Sequence, residues 1–160
     1  MKLVFDTERL LLPISTSLQD ALNRVISDSS KWTPMIQSVV FSFRDTNYSA
    51  DAGGFHPIEI RLVRLYDQWI FDYITDFAYC GGSYPELVKE VDFNFSSGTV
   101  SFSYVPELPI TSSEVMEFYS MWESNFLSYV EMGVFDEIKV TVDYSIGNKP
   151  SRKHHVCTIK

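Results

Sequence analysis

The chain has 160 residues, 45% of them hydrophobic and 15% aromatic, with a formal net charge of −8 at pH 7. That length suits one domain able to bury about two thirds of its unfolded surface without staples. The charge is uneven: residues 147–160 carry Lys149, Arg152, Lys153 and Lys160 and no acid, so the −8 splits into +4 there and −12 over residues 1–146, and a body that acidic repels a phosphate backbone and argues against general nucleic-acid binding.

The first predicted element is a helix over Ser15 to Ser29. Ser17 and Asp20 stand at capping-box spacing, and Leu18, Ala21, Leu22, Val25 and Ile26 fall at helical intervals on one stripe. Beyond Pro34, Gln37 to Phe43 reads as a strand, with Val39, Phe41 and Phe43 alternating with Val40 and Ser42. Thr46 to Gly54 is a polar loop whose Gly53-Gly54 pair tolerates positive φ.

Two strands follow, Ile58 to Leu65 and Trp69 to Tyr79. Side chains on a strand alternate between faces, so Trp69, Phe71, Tyr73, Thr75 and Phe77 are expected on one face and Ile70, Asp72, Ile74, Asp76 and Ala78 on the other. A two-residue turn at Asp67-Gln68 would set Leu62 opposite Tyr73, Ile58 opposite Phe77, Arg61 opposite Ile74 and Glu59 opposite Asp76. Cys80-Gly81-Gly82-Ser83-Tyr84-Pro85 breaks the pattern. Val88 to Phe95 and Thr99 to Val105 then form a hairpin turning at Ser97-Gly98, with Phe95 facing Val100, Phe93 facing Phe102 and Val91 facing Tyr104.

Pro106 and Pro109 interrupt the sheet before a second helix, Ser112 to Met132, which starts with Thr111 and Glu114 at capping-box spacing and stops at Gly133. Its stripe of Val115, Phe118, Tyr119, Trp122, Phe126, Tyr129 and Val130 is a core-packing face. Ile138, Val140, Val142 and Tyr144 supply another strand, and His155 to Ile159 a short edge. The fold class is therefore α+β: a single twisted antiparallel sheet of five to seven strands flanked by two helices, one domain over residues 1–160, with 147–160 a basic tail or edge strand.

No run approaches the roughly 18 apolar residues of a membrane span, and Met1 to Pro13 lacks the basic start, apolar run and cleavage site of an export signal. Cys80 and Cys157 are too few for a disulfide framework. A cytoplasmic protein is expected, without cofactor, metal, nucleic-acid or membrane partner.

Candidate chemistry is sparse. Glu59, Asp72 and Asp76, with Arg61 among them, form the cluster that the hairpin register brings together; facing carboxylates can hold a divalent cation or share a proton, and Arg61 can instead neutralise them on a polar sheet face. Glu137-Ile138-Lys139 has the acid-x-Lys spacing of metal-dependent nucleases, but strand alternation explains it and the acidic body opposes DNA. Cys80 has His56, His154 and His155 as possible bases, with no local signature pairing them. Gly-x-Gly-x-x-Gly, phosphate-loop lysine and paired Cys-x-x-Cys patterns are absent from the sequence.

The run from Gly53-Gly54-Phe55-His56-Pro57 to Leu62, the stretch from Trp69 to Phe77, and Phe126 to Ile138 around Gly133-Val134-Phe135-Asp136 resemble an uncharacterised gammaproteobacterial family. Its members are small proteins of marine bacteria and of a cholera pathogenicity island. One is similar in fold to the acidic, ring-forming trimer of the mitochondrial matrix that binds complement. The resemblance implies a twisted antiparallel sheet with flanking helices and a binding role without catalysis.

The sequence thus favours a non-enzymatic, acidic protein-binding module with an unknown protein partner, and the aromatic content of its sheet predicts a homo-oligomer. Tyr66, Trp69 and Tyr84 are the expected exposed anchors. The alternative is a metal-assisted hydrolase built on Glu59, Asp72 and Asp76.

Overall fold

Leu18, Ala21, Leu22 and Ile26 line the buried side of α1 (Thr16–Ser27) in the computed structural model, which describes residues 2–27 and 32–144. The cap is Ser15 and not Ser17: its hydroxyl oxygen accepts from the N–H of Leu18 at 3.1 Å. An N-cap must precede the first helical residue, and Ser17 lies inside the helix.

Among the described residues seven strands form one antiparallel sheet: β1 (Ser38–Arg44), β2 (Ile58–Leu65), β3 (Gln68–Cys80), β4 (Glu86–Asn94), β5 (Thr99–Phe102), β6 (Val105–Pro109) and β7 (Glu137–Asp143). Their order is β6-β5-β4-β3-β2-β1-β7, a meander whose last strand crosses over to lie beside the first. The region of Pro106 and Pro109 continues the sheet where a break was expected. Both prolines sit on β6, which pairs only with β5 among the described residues, and an edge strand loses little by lacking a donor.

Two registers differ from the expected ones. In β4–β5 the loop spans 95–98, pairing Phe93 with Val100 and Val91 with Phe102. This shift of two residues leaves every side chain on its expected face. In β2–β3 the turn is Tyr66-Asp67, with Tyr66 at φ 56°, and Leu65 pairs with Gln68. The pairing then slips: Leu62 faces Phe71 but Arg61 faces Tyr73, which leaves Asp72 as the extra residue of a β-bulge. Uniform alternation fails here. Trp69 and Phe71 face the helices before the bulge, and Ile74 and Asp76 face them after it, so Tyr73 and Thr75 turn to the opposite face.

The helix α2 (Ser113–Glu131) is capped by Ser112, whose hydroxyl accepts from Val115 N–H, rather than by Thr111. Gly133, at φ 72°, ends it. Val115, Tyr119, Trp122 and Phe126 are buried against the sheet. The aromatic centre is Phe93, whose ring meets Tyr119 at 5.2 Å, Trp122 at 5.7 Å and Phe118 at 6.2 Å. At the other end of the core, Phe43 packs edge-on to Phe126 at 5.0 Å and Phe135 at 5.7 Å. Residues 4–6 add a short parallel extension beside β3, through Asp6 N–H to the Trp69 carbonyl at 3.0 Å and Trp69 N–H to the Val4 carbonyl at 2.8 Å. Phe5 there stacks on Phe71 at 5.6 Å.

Glu123 is a buried charge that links the helices. Its Oε2 accepts from Ser15 N–H at 3.1 Å and from the Tyr119 hydroxyl at 2.5 Å. The first N–H groups of α1 are orphan donors, so a carboxylate at that end is well matched. Burial and the adjacent carboxylate push the Tyr119 phenol well above its usual pKa.

Phe93→Ala removes the ring on which α2 rests and should cost about 3–5 kcal/mol in urea unfolding. Tyr84→Ala, at a side chain 90% exposed, should stay within about 0.5 kcal/mol.

Candidate functional site

The site begins with Asp45, which is buried at the end of β1. Its two carboxylate oxygens accept from the N–H groups of Asn47 at 3.0 Å and Phe55 at 3.2 Å, closing the loop between β1 and β2. Thr46 anchors the same loop to Asp136, donating its N–H at 2.8 Å and its hydroxyl to the two carboxylate oxygens. Those two bonds hold the Asp136 carboxyl below its usual pKa, the hydroxyl contributing most. Gly54 lies at φ 129°, and a Cβ there would sit 3.0 Å from Asp45 Oδ2 and 3.1 Å from Tyr48 Cα. Only glycine fits this approach. The loop therefore delivers Phe55 and His56 beside β3 and α2.

Asp76 receives both sides of this junction. His56 Nδ1 lies 2.8 Å from Asp76 Oδ1, and Trp122 Nε1–H donates to Asp76 Oδ2 at 3.0 Å. A carboxylate offers acceptors only, so the Nδ1 of His56 carries the hydrogen. This bond raises the His56 pKa above its ordinary 6.5, partial burial opposing and the charges of Asp76 and Glu90 assisting. Between the loop and α2 lies a cleft of about 300 Å³. Phe55, Trp122, Phe126 and Tyr129 supply its aromatic lining, and His56 and Asn125 bring uncharged or titratable nitrogen to it.

Aromatic rings continue outward from His56. Tyr48 meets His56 at 5.3 Å and Tyr79 at 5.2 Å, and its hydroxyl accepts from Tyr79 N–H at 3.0 Å. Next to Tyr79, Cys80 Sγ lies 3.0 Å from the Tyr104 hydroxyl. Tyr84, in the β3–β4 loop, and Tyr104, in the β5–β6 turn, occupy this same end of the sheet and are 90% and 83% exposed.

The structure redistributes the residues singled out from sequence. Tyr66 and Tyr84 are exposed as expected, but Trp69 is buried: it is 4% exposed, covered by the segment at Phe5 and by Trp32, whose ring lies 5.5 Å away. The acidic cluster is divided between faces. Arg61 Nη1 donates to Asp72 at 2.6 Å and Nη2 to the Ser38 hydroxyl at 3.3 Å, while Glu59 accepts from the Tyr73 hydroxyl, all on the face away from the helices. Asp76 lies on the helix face with His56, and Glu59 is paired with Thr75 across the strands instead of with Asp76. The bulge at Asp72 is the cause. Burial, together with Glu59, pushes the Tyr73 phenol far above its usual pKa. Beside this network, Asp92 accepts from Thr75 at 2.7 Å and from Lys89 at 3.3 Å. Among the described residues no group of three or more His, Cys, Asp or Glu is placed to hold a metal. Residues 147–160, with Cys157, His154, His155 and the suggested edge strand, lie outside the described residues, as do the predicted last residues of the first helix.

Sequence reasoning missed the joint role of His56, Asp76 and Trp122. The signal available was Gly-Gly-Phe-His-Pro, a loop ending that forces a close approach; nothing local indicated which acid His56 would meet.

The fold and cleft place the protein among α+β domains built on a single open antiparallel sheet. The chain belongs to a family described as protein of unknown function, DUF2787, which matches residues 16–141. It is similar to a hypothetical protein from the VSP-II pathogenicity island of Vibrio cholerae, at 40% identity and a TM-score of 0.82, covering 89% of this chain and 100% of that one. A conserved hypothetical protein from the VPI-2 island of Vibrio cholerae, which shares structural homology with the human P32 protein, is 42% identical with a TM-score of 0.72, over 81% of this chain and 95% of that one. No curated protein matches.

Two measurements check this geometry. Arg61→Ala leaves Asp72 without its cation and should cost about 2–3 kcal/mol; with Asp72→Ala the combined loss should fall about 1 kcal/mol or more short of additivity, whereas Asp76→Asn should add independently. Coupling to Asp76 instead would mean that the two groups share a face. For His56, a pKa raised by folding gives a contribution fully present below pH 6.5 and lost as pH rises through the folded value. The melting temperature should therefore fall between about pH 6 and pH 8.5 by an increment that His56→Gln removes.

Proposed function

We propose that the protein is a non-enzymatic protein-binding module whose docking surface is the aromatic end of its sheet. The observation that carries this reading is the row of aromatic residues running from Tyr104 and Tyr84 through Tyr79 and Tyr48 to His56. Tyrosine is enriched among residues that dominate binding energy, because it buries a large rigid ring and still offers a hydroxyl. Two of these rings are more than four-fifths exposed in the free chain. The acidic body, −12 over residues 1–146, favours a basic partner and speeds its encounter at low salt. Metal-assisted hydrolysis loses its geometry once Asp76 stands on the opposite face from Glu59 and Asp72. The aromatic-rich sheet face is covered by the chain's own helices and residues 2–14, so that face is not open to self-association.

Affinity capture with wild-type protein and with Tyr84→Asp/Tyr104→Asp, compared quantitatively at matched salt, tests the reading. A defined set of basic proteins should be held by the wild type and lost by the variant at unchanged melting temperature. Identical sets would overturn it. Light scattering at micromolar concentration distinguishes a second copy as the occupant: a mass above 18.4 kDa that the same substitutions reduce would place self-association at this end.

A further inference from the structure

We infer that the cleft beneath residues 54–58 is a binding site for a carboxylate borne on a single aromatic or branched apolar group, with His56 Nε2 as the donor to the carboxylate. This goes beyond the protein-binding reading and does not depend on it.

The argument starts from what Asp76 has already committed. Both of its oxygens are engaged, one with His56 Nδ1 and one with Trp122 Nε1. The imidazole is thereby held in one orientation, and among the described residues no group bonds its Nε2. The histidine side chain is 40% exposed and lines the cleft. A preorganised histidine lining an aromatic cavity, with one ring nitrogen still to be satisfied, is a recognition group awaiting a partner.

The charge of that partner follows from the surroundings of His56. The charged groups acting on the ring are Asp76 of β3 and Glu90 of β4, and both favour imidazolium. From the loop it meets the Tyr48 ring, and from α2 the cleft gains Trp122, Asn125, Phe126 and Tyr129, none of them an Asp, Glu, Lys or Arg. A bound cation would face a ring whose neighbours favour its charged form, and would find both Asp76 oxygens already engaged. A pure hydrocarbon would bury the ring nitrogen unpaired. An anion receives a charge-assisted hydrogen bond from Nε2, and the Asn125 amide offers a second donor from α2.

Size and walls set the rest of the ligand. About 300 Å³ is at the small end for ligand sites and suits one side-chain-sized group. Phe55 and Tyr129 meet edge to face at 4.7 Å, and Trp122 stacks on Phe126 at 5.3 Å. Such walls accept a ring or a branched chain. The same chemistry is carried by a free aromatic acid and by the C-terminal residue of a peptide.

The test follows the His56 ring by NMR in the full chain, assigned by its loss in His56→Gln, while sodium phenylacetate, N-acetyl-glycyl-phenylalanine, the amide of that peptide and benzylamine are added in turn. Phenylacetate or the free peptide acid should saturate the signal, raise the pH midpoint of His56, and bind at least about tenfold more tightly near pH 6 than near pH 8.5. Tighter binding of the peptide acid identifies a chain terminus as the source; tighter binding of phenylacetate identifies a free acid. His56→Gln should weaken either by about tenfold. Asn125→Asp, which keeps the histidine and adds a negative charge at the rim, should weaken it as well without moving the melting temperature. The inference is overturned if millimolar phenylacetate and peptide acid leave His56 unmoved, if His56→Gln binds equally, or if benzylamine or the amide binds as well as the acids.

Discussion

One extra residue in β3 organises this molecule. Because Asp72 has no partner on β2, the strand turns over between Phe71 and Ile74, and the two halves present opposite parities to the helices. Trp69 and Phe71 fill the core under residues 4–6, and Ile74 and Asp76 fill it under α2. Without the bulge, Asp76 would join Asp72 among the acids of the outer face, and neither Trp122 nor His56 could reach it.

Placed on the helix face, Asp76 becomes the junction of three elements that are distant in sequence: the β1–β2 loop through His56, β3 itself, and α2 through Trp122. A half-buried carboxylate is costly unless its lone pairs are used, and here both oxygens are. Glu123, the residue after Trp122 on α2, follows the same logic and ties Ser15 at the start of α1 to Tyr119. The two acids explain how α2 is fixed in position and rotation on a sheet whose other contacts with it are largely apolar.

The outer face answers a different need. It is polar, and it carries two ion pairs and a hydrogen-bonded acid: Arg61 with Asp72, Lys89 with Asp92, and Glu59 with the Tyr73 hydroxyl. Its edges are also guarded, by Pro106 and Pro109 on β6 and by Glu137, Lys139 and Asp143 on β7, features that discourage strand addition. The end of the sheet at Tyr84 and Tyr104 instead leaves large aromatic side chains exposed. The chain belongs to a family of unknown function and is similar to two proteins of Vibrio cholerae pathogenicity islands, and no motif in it announces a use.

The amino-acid sequence by itself determined the class of fold, both helices and most strands, because hydrophobic period is local: the stripe from Val115 to Val130 and the alternation in β2 and β4 are readable without knowing what they touch. It also determined the Gly53-Gly54 loop and the stop at Gly133, where backbone sterics act on single residues. The pairing of β6 was hidden because prolines signal a break unless the strand is at an edge, and edge position is a property of the whole sheet. Trp69 looked exposed because the segment that covers it lies more than sixty residues earlier in the chain. The bulge at Asp72 was decided only by tertiary structure: strand alternation reads through it, and the register of β2 against β3 is selected by which arrangement buries Phe71 and Ile74 together on the helix side. From that selection came the separation of Asp76 from Glu59 and Asp72 and its capture by His56 and Trp122, contacts whose energies depend on burial and distance that no local pattern encodes.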